Sequence, residues 1–231
     1  MAISSWDKAQ ENELAVWQRT VNDVCELYDE FADTAALVRF GARHGLEAGA
    51  AVLELGIGPL GIGWAALRPA ERAVGVDSLA RLAVSTGDDS LDRFLAELQG
   101  RTEFLQADAT TRLPFDDASF DLIVCDNVVD HTQDPRAILA EGRRLVRSGG
   151  RLVFGVNVFS VAGRVKWRQV TRRLHPGHPN VLCHPHSFIE GDLGELLSGA
   201  GWRVLVTEPA GGIMRRMAGR SYRVRAIARP V

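Results

Sequence analysis

The chain has 231 residues, of which 46% are apolar, and a formal net charge of −2. This length and composition suit one domain with additions, built around a substantial core. No segment reaches the roughly 18 consecutive apolar residues of a membrane-spanning helix, and the first residues lack the apolar stretch of a signal peptide. The three cysteines are widely spaced and odd in number, so they indicate neither a disulfide framework nor a C-x-x-C metal site. We expect a reducing cytoplasm.

The first 45 residues carry a helical pattern. Apolar side chains recur at steps of three and four between residues 10 and 45, which predicts helices with one apolar stripe. Asp33 or Thr34 is expected to start a second helix, which would end near residues 41–45. We therefore expect residues 1–45 to form a helical cap in front of the main domain.

A short apolar strand then ends in a glycine-rich turn. Gly56, Gly58 and Gly61 fit the G-x-G-x-x-G pattern, in which glycine permits a tight turn and a close approach of ligand to backbone. The helix expected after the turn would point its N-terminus back at it, which favours a bound nucleotide. Glu54 precedes the first glycine by two residues, and a carboxylate there suits an ammonium group better than a pyrophosphate.

Apolar runs and helical patterns alternate from residue 51 to residue 156. This alternation predicts a parallel sheet with helices on both faces, joined by right-handed connections. The expected strands cover residues 52–55, 73–76, 102–105, 120–125 and 151–156. Helices are expected to start near Leu79, to cover residues 91–98, and to run from Pro135 to about Arg147, before a break at residues 148–150.

The last third of the chain follows a different pattern. Residues 187–190 fit a capping box, which predicts a helix that ends near Gly199. Residues 202–207 and 222–228 look like two strands joined by a loop without a helix. We expect these strands to pair as an antiparallel hairpin at the edge of the sheet.

Three later segments, together with the glycine turn, form a set of recognisable motifs. They read Phe-Leu-Gln-Ala-Asp-Ala-Thr at 104–110, Leu-Pro-Phe-Asp-Asp-Ala-Ser-Phe-Asp-Leu-Ile-Val at 113–124 and Leu-Val-Arg-Ser-Gly-Gly-Arg-Leu-Val-Phe at 145–154. With Glu54, the whole set resembles the class I S-adenosylmethionine-dependent methyltransferases over roughly residues 45–230. Several separated motifs that agree carry more weight than a single glycine pattern.

The resemblance implies a fold, a cofactor and a domain layout. The fold is α/β, a doubly wound, seven-stranded, mostly parallel, Rossmann-like sheet with an antiparallel C-terminal hairpin and an N-terminal helical cap. The cofactor is S-adenosyl-L-methionine, which donates the methyl group. The methyltransferase domain would cover residues 46–231 and would contain a lid insert at about residues 157–186.

The resemblance also implies cofactor contacts at the carboxyl ends of the strands, where open α/β sheets bind ligands. Asp77 would accept hydrogen bonds from both ribose hydroxyls, unless it caps the next helix. Asp108 would accept one from the adenine amino group, unless it only forms an Asx turn. Tyr28 would close over the methionine carboxylate, or else pack in the core. The complete expected set is Tyr28, Glu54, Gly56, Ile57, Gly58, Gly61, Asp77, Ser78, Asp108, Ala109, Asp126 and Asn127.

The pair Asp130 and His131 follows the fourth strand. The resembled family often has substrate-facing residues there. A histidine at this position could remove a proton from a hydroxyl or phenol acceptor. The alternative is a partly buried histidine that caps the loop before Pro135.

A histidine-rich run covers residues 174–187. Its spacing matches no zinc pattern and it holds no acidic ligand, so no metal is expected. A substrate lid is the preferred interpretation, because functional residues concentrate on such loops. His184 and His186 would then face the acceptor.

Charge is distributed unevenly along the chain. Residues 1–160 hold 15 Lys and Arg against 25 Asp and Glu, a net −10, whereas residues 161–231 hold 12 against 4, a net +8. The arginines are interpreted either as solvated faces or as an attraction for an anionic acceptor. Nucleic acid is not an expected partner, since aromatic residues hardly interleave with them. The clustered basic residues are Arg164, Lys166, Arg168, Arg172, Arg173, Arg215, Arg216, Arg220, Arg223 and Arg225.

Together these features predict O-methylation of a small-molecule acceptor, with secondary metabolism as the setting. N- or C-methylation is the first alternative. An NAD(P)-dependent oxidoreductase would explain the glycine turn and Asp77, but not Glu54, Asp108 or the terminal hairpin. A non-catalytic S-adenosylmethionine-binding subunit is a further alternative, because a fold does not fix a function. No membrane partner is expected, and a homodimer is left open.

Overall fold

The computed structural model describes residues 5–46, 51–210 and 221–231. The helices are α1 Ser5–Thr20, α2 Val24–Arg43, α3 Trp64–Leu67, α4 Asp89–Gly100, α5 Pro135–Leu145, α6 Val161–Lys166, α7 Arg172–Leu174, α8 Pro179–Cys183 and α9 Asp192–Gly199, with a π-helical turn at Trp167–Thr171. The strands are β1 Ala51–Leu55, β2 Arg72–Asp77, β3 Glu103–Gln106, β4 Phe120–Asp126, β5 Val146–Phe159, β6 Phe188–Ile189, β7 Trp202–Ala210 and β8 Tyr222–Pro230.

The strands form one mixed sheet in the order β3-β2-β1-β4-β5-β8-β7, with the short β6 beside the end of β5. The strands β1 to β5 pair in parallel, and β8 pairs antiparallel with both β5 and β7. The expected doubly wound sheet with an antiparallel C-terminal hairpin is thereby confirmed. The strand order reverses between β1 and β4, so the crevice for a ligand lies at the carboxyl ends of those two strands.

Alternating side chains of the strands supply two separate cores. Leu53 and Ile123 belong to the core on the face that also contains Leu139 of α5 and Leu197 of α9. Their neighbours Val52, Leu122 and Val124 instead pack with residues of α2 and α3, namely Leu37, Phe40 and Trp64. Because successive strand residues point to opposite faces, this division explains why the apolar runs are continuous and why helices cover both sides.

The two N-terminal helices meet earlier than the sequence predicts. The expected second start at Asp33 or Thr34 is wrong, because α2 begins at Val24 and continues through both residues. Asp23 is the N-cap, and its side chain accepts hydrogen bonds from the N–H groups of Cys25 and Glu26. The first N–H groups of a helix have no partner within the helix, and the Asp23 carboxylate accepts hydrogen bonds from two of them. This interaction favours a start of α2 directly after Asp23.

Three further boundaries differ from the predictions. No helix starts at Leu79, because the chain remains irregular until Asp88 caps α4. The helix α5 ends at Leu145, and the expected break at residues 148–150 is part of the long strand β5. The capping box at 187–190 is also wrong: Phe188 pairs with β5, and α9 starts only at Asp192.

The helix α1 packs over the glycine turn. The Trp17 ring lies against Gly58, so close that a Cβ added to this glycine would be 3.0 Å from the ring. Ser78 donates a hydrogen bond of 2.7 Å to Gln10. Cys183 of α8 approaches the carbonyl of Ala9, with the sulfur 3.6 Å from the oxygen. The helix thus contacts both the sheet edge and the segment between β5 and β6. Within the described part of the chain, no helix has the length and apolar character that crossing a bilayer requires.

Candidate active site

A cavity at the carboxyl edge of the sheet gathers one carboxylate from each of four strands. Glu54 lies in β1, Asp77 ends β2, Asp108 follows β3 and Asp126 ends β4, and all four line this cavity. The order of the strands places them in the sequence Asp108, Asp77, Glu54, Asp126 across the sheet. Neighbouring strands are about 4.8 Å apart, so the four groups form a row rather than a cluster.

Glu54 is buried beneath the glycine turn. Its Oε2 accepts a hydrogen bond of 2.8 Å from the N–H of Trp64, the first residue of α3. Gly63 leaves the space for this carboxylate, because an added Cβ would overlap Oε2. Burial raises the pKa of Glu54 to about 7, although the Trp64 N–H acts in the opposite direction. A cation bound here would favour the ionised carboxylate.

Asp77 joins the second strand to the glycine turn. Its carboxylate accepts hydrogen bonds of 2.8 Å from Gly58 and 2.9 Å from Leu79. No helix follows, so the alternative role as a helix cap does not apply. Burial raises the pKa of the carboxyl, and the two N–H groups partly offset this effect. The side chain lines the cavity beside Ser78.

Asp108 forms the Asx turn that the sequence offered as its alternative role. Its Oδ1 accepts hydrogen bonds from the N–H and the hydroxyl of Thr110, at 2.8 and 2.7 Å. The residue is exposed and still lines the cavity together with Ala109. Asp108 can therefore form the Asx turn and still contact a ligand in the cavity.

The glycines of the turn have a conformation that other residues rarely adopt. Gly56 has φ +72° and Gly58 has φ +76°, in the left-handed region that favours glycine. A Cβ on Gly56 would also overlap the side chain of Val128. Both glycines and Ile57 line the cavity. Gly61 has φ +64° but shapes the turn from outside the cavity lining.

Asp126 and Asn127 lie at the carboxyl end of β4, within reach of side chains from β5 and β8. Arg223 of β8 donates a hydrogen bond of 2.7 Å to Asp126 Oδ2 and lies 3.5 Å from Asp33. The other oxygen, Oδ1, is buried without a hydrogen-bond partner among the described residues. Asn127 has φ 58° and accepts a hydrogen bond of 2.7 Å from Asn157.

The helices α1 and α2 add acidic residues that the sequence alone did not assign to the site. Glu13 of α1, with Glu30 and Asp33 of α2, lines the same cavity. Desolvation in the cavity, together with the nearby Asp33, raises the pKa of Glu30 to about 7. The only sequence signal for these residues is the acidic excess of the first 160 residues. Tyr28, which the sequence placed on the cofactor or in the core, is 71% exposed and lies in neither place.

His131 lines the cavity, and Asp130 lies buried behind it. His131 Nδ1 is 3.5 Å from Glu13 Oε2, and its Nε2 is 4.0 Å from Asp130 Oδ2. Burial lowers the pKa of His131, but Glu13 and Asp130 outweigh this effect and raise it. The positions of the two residues agree with a site at the end of β4, although their role stays a prediction.

The two histidines expected on the lid have different surroundings. The His184 ring lies 4.1 Å from the His131 ring, between centroids, and its Nε2 is 3.9 Å from Asp130 Oδ2. His186 instead stacks on Phe188 and lies 3.3 Å from the carbonyl of Gln133, outside the cavity lining. The structure thus brings the His184 ring to Asp130 and His131, whereas His186 contacts Asp130 only through its N–H, which lies 3.5 Å from the Asp130 carbonyl.

Several arginines of the basic C-terminal third hold the insert between β5 and α9. Arg164 pairs with Asp192 at 2.6 Å, Arg168 donates to Ser187, and Arg172 donates to the carbonyl of Pro185. These three arginines of the basic cluster therefore stabilise the segment between β5 and α9. The expected cluster members Arg215, Arg216 and Arg220 lie outside the described residues.

The residues present fit S-adenosylmethionine. Seven carboxylates line the described cavity, those of Glu13, Glu30, Asp33, Glu54, Asp77, Asp108 and Asp126. The bound cofactor would supply an activated methyl group on a cationic sulfonium, and its ammonium would add a second positive charge. The buried Asp126 Oδ1, which has no hydrogen-bond partner among the described residues, and the raised pKa values of Glu30, Glu54 and Asp77 favour a cationic ligand.

Comparison with known proteins finds a matching domain model and one curated relative. Residues 53–154 match the family model described as a methyltransferase domain. An uncharacterised 37.1 kDa protein of transposon Tn4556 from Streptomyces fradiae is 34% identical over 153 residues, which are 61% of this chain. The match covers 41% of that protein, so the chain spans well under half the length of this curated relative.

Solved structures share the fold at low identity. The 1,6-didemethyltoxoflavin-N1-methyltransferase of Burkholderia thailandensis, with S-adenosylhomocysteine bound, has a TM-score of 0.63 and 17% identity, and covers 100% of this chain and 92% of its own. The geranyl diphosphate C-methyltransferase of Streptomyces coelicolor, also with S-adenosylhomocysteine, has a TM-score of 0.62 and 14% identity, and covers 85% and 79%. Residues 53–154 therefore match a methyltransferase domain, and the chain shares the fold of these two methyltransferases.

Proposed function

We propose that this chain transfers the methyl group of S-adenosylmethionine to a small-molecule acceptor. The observation that carries the proposal is the row of carboxylates Asp108, Asp77, Glu54 and Asp126 at the ends of four adjacent strands. In this proposal the row binds, in order, the adenine, the ribose, the ammonium group and the region of the sulfonium. Cytoplasmic location and a homodimer stay expectations, and the helical cap of residues 1–45 and the lid at 157–186 stay proposals.

The acceptor would enter beyond Asp126, between the cap and the end of β4. Methyl transfer from a sulfonium requires the acceptor atom, the methyl carbon and the sulfur to lie in line, so positioning supplies most of the rate enhancement. A cavity enclosed by α1, α2 and the sheet edge can exclude water and hold a small molecule in that geometry.

Two acceptor atoms are supported by different residues. An oxygen acceptor, the first expectation, is supported by His131, which lies on the cavity with Glu13 beside its Nδ1. A nitrogen acceptor is supported by the surplus of carboxylates: Glu13, Glu30 and Asp33 face the cavity from the cap and would attract an amine. The same surplus disfavours an anionic acceptor, since Arg223 is already paired with Asp126.

A panel of acceptors in matched pairs tests the proposal. Each pair would present one scaffold bearing either a hydroxyl or an amine, with S-adenosylhomocysteine release as the readout. We expect release to depend on the acceptor and the preferred member of each pair to identify the acceptor atom. Tight S-adenosylhomocysteine binding without release from any member of a broad panel would favour the non-catalytic alternative.

A further inference from the structure

Two separate segments bring three metal-binding side chains together. Asp130 and His131 belong to the loop after β4, and His184 follows α8 in the insert. Asp130 Oδ2 lies 4.0 Å from His131 Nε2 and 3.9 Å from His184 Nε2. One ligand atom from each residue can be chosen so that all three lie within 4.8 Å of one another.

Three polar atoms of Asp130 and His131 are buried without a hydrogen-bond partner in the described part of the chain. The side chain of Asp130 is 4% exposed, and its Oδ1 has no hydrogen-bond partner among the residues that the structure describes. Both ring nitrogens of His131 are also buried and have no hydrogen-bond partner among the described residues. Buried polar groups are normally hydrogen-bonded, paired or bound to metal, because leaving them unsatisfied is costly.

We propose that Asp130, His131 and His184 bind a divalent transition-metal ion of the zinc class. Two imidazole nitrogens and one carboxylate are a ligand set of catalytic zinc and iron(II) sites, whereas magnesium and calcium prefer oxygen ligands alone. Three protein ligands also leave a coordination position open.

The geometry needs only a small adjustment to hold the ion. Zinc ligands lie about 2.0–2.2 Å from the metal, so the ligand atoms of one site are about 3.0–3.6 Å apart. The two separations from Asp130 Oδ2, 3.9 and 4.0 Å, exceed this range slightly, and all three ligand atoms lie within 4.8 Å of one another. Metal binding therefore requires the imidazole rings to rotate so that the three atoms move closer together. Glu13 lies 3.5 Å from Nδ1 of His131, where a carboxylate commonly orients a metal-bound imidazole.

The ion would connect three parts of the molecule at the acceptor end of the cavity. It would fasten the insert to the loop after β4 through His184, and Glu13 would bring in α1 through His131. A metal-bound nitrogen cannot accept a proton, so the ion and a proton-accepting role for His131 Nε2 exclude each other. This inference goes beyond methyl transfer, because metal binding can be measured without acceptor or cofactor.

Metal titration of the untagged, chelator-treated full chain tests the proposal directly. We expect one equivalent of Zn²⁺ by calorimetry, one equivalent of Co²⁺ with the visible absorption of a site of low coordination number, and no binding of Mg²⁺. The variants H184A and D130N should each weaken Zn²⁺ binding at least 100-fold. The matched control is H175A, which removes an exposed histidine from the same insert and should bind as the unmodified chain does.

Each alternative outcome would overturn the site. Absence of stoichiometric Zn²⁺ and Co²⁺ binding would show that the three side chains form only a hydrogen-bonded or ion-paired cluster. Equal losses in H184A and H175A, or full binding by D130N and H184A, would place the metal elsewhere. Circular dichroism of the metal-free variants controls for folding, and D130N, which keeps the shape of the side chain, remains informative if H184A does not fold.

Discussion

At the scale of single residues, the site depends on space that glycines leave for carboxylates. Gly63 allows Glu54 to reach the N–H of Trp64, and Gly56 allows the turn to pass Val128. Gly155 does the same for Asp126 on the neighbouring strand, since a Cβ there would overlap its Oδ1. The carboxylates therefore hold their positions because the opposing backbone has no side chain.

Replacing Gly63 by alanine tests this dependence. The added Cβ would displace the Glu54 carboxylate, so G63A should bind S-adenosylhomocysteine at least tenfold more weakly, a loss of about 1.4 kcal/mol or more. Calorimetric titration measures the change. The control is G149A, at an exposed glycine of β5 where a Cβ meets nothing within 4 Å, and its affinity should not change. Equal affinity of G63A and the unmodified chain would show that Glu54 does not hold the cofactor.

At the scale of elements, α1 forms part of the cavity wall. Its residues Gln10, Glu13 and Trp17 line the cavity, and Gln10 also accepts a hydrogen bond from Ser78. The apolar stripe correctly predicted that this region is helical. It could not predict which side chains face the site, because the packing of α1 on the glycine turn depends on contacts between residues far apart in the chain.

Removing the Trp17 ring should open the side of the cavity that α1 covers. W17A would lose the contact with Gly58, and we expect S-adenosylhomocysteine to dissociate at least tenfold faster, as followed by stopped-flow fluorescence or surface plasmon resonance. The neighbouring variant V16A shortens a side chain that is 37% exposed on the same helix and should leave the rate unchanged. An unchanged rate in W17A would mean that α1 does not retain the ligand.

At the scale of the whole molecule, the sheet and the row of carboxylates could be predicted from the sequence. Glycine chemistry and alternating apolar runs are local signals, and they located Glu54, Asp77, Asp108 and Asp126 at or next to the ends of strands. The expectations for Tyr28 and for the capping box at 187–190 fail because a short pattern does not reveal whether tertiary packing uses it. Arg223 pairs with Asp126 and His184 lies near Asp130, although each partner is distant in the chain. A local sequence pattern cannot predict such long-range contacts.

The most direct test of the account is a calorimetric titration of the purified chain with S-adenosylhomocysteine and, separately, with NADH. The carboxylates at the ends of β1 to β4 favour a ligand that carries an ammonium group over one that carries a pyrophosphate. We expect micromolar or tighter binding of S-adenosylhomocysteine at one site per chain and no binding of NADH. Binding of NADH without binding of S-adenosylhomocysteine would contradict it and would reassign the glycine turn to a dinucleotide.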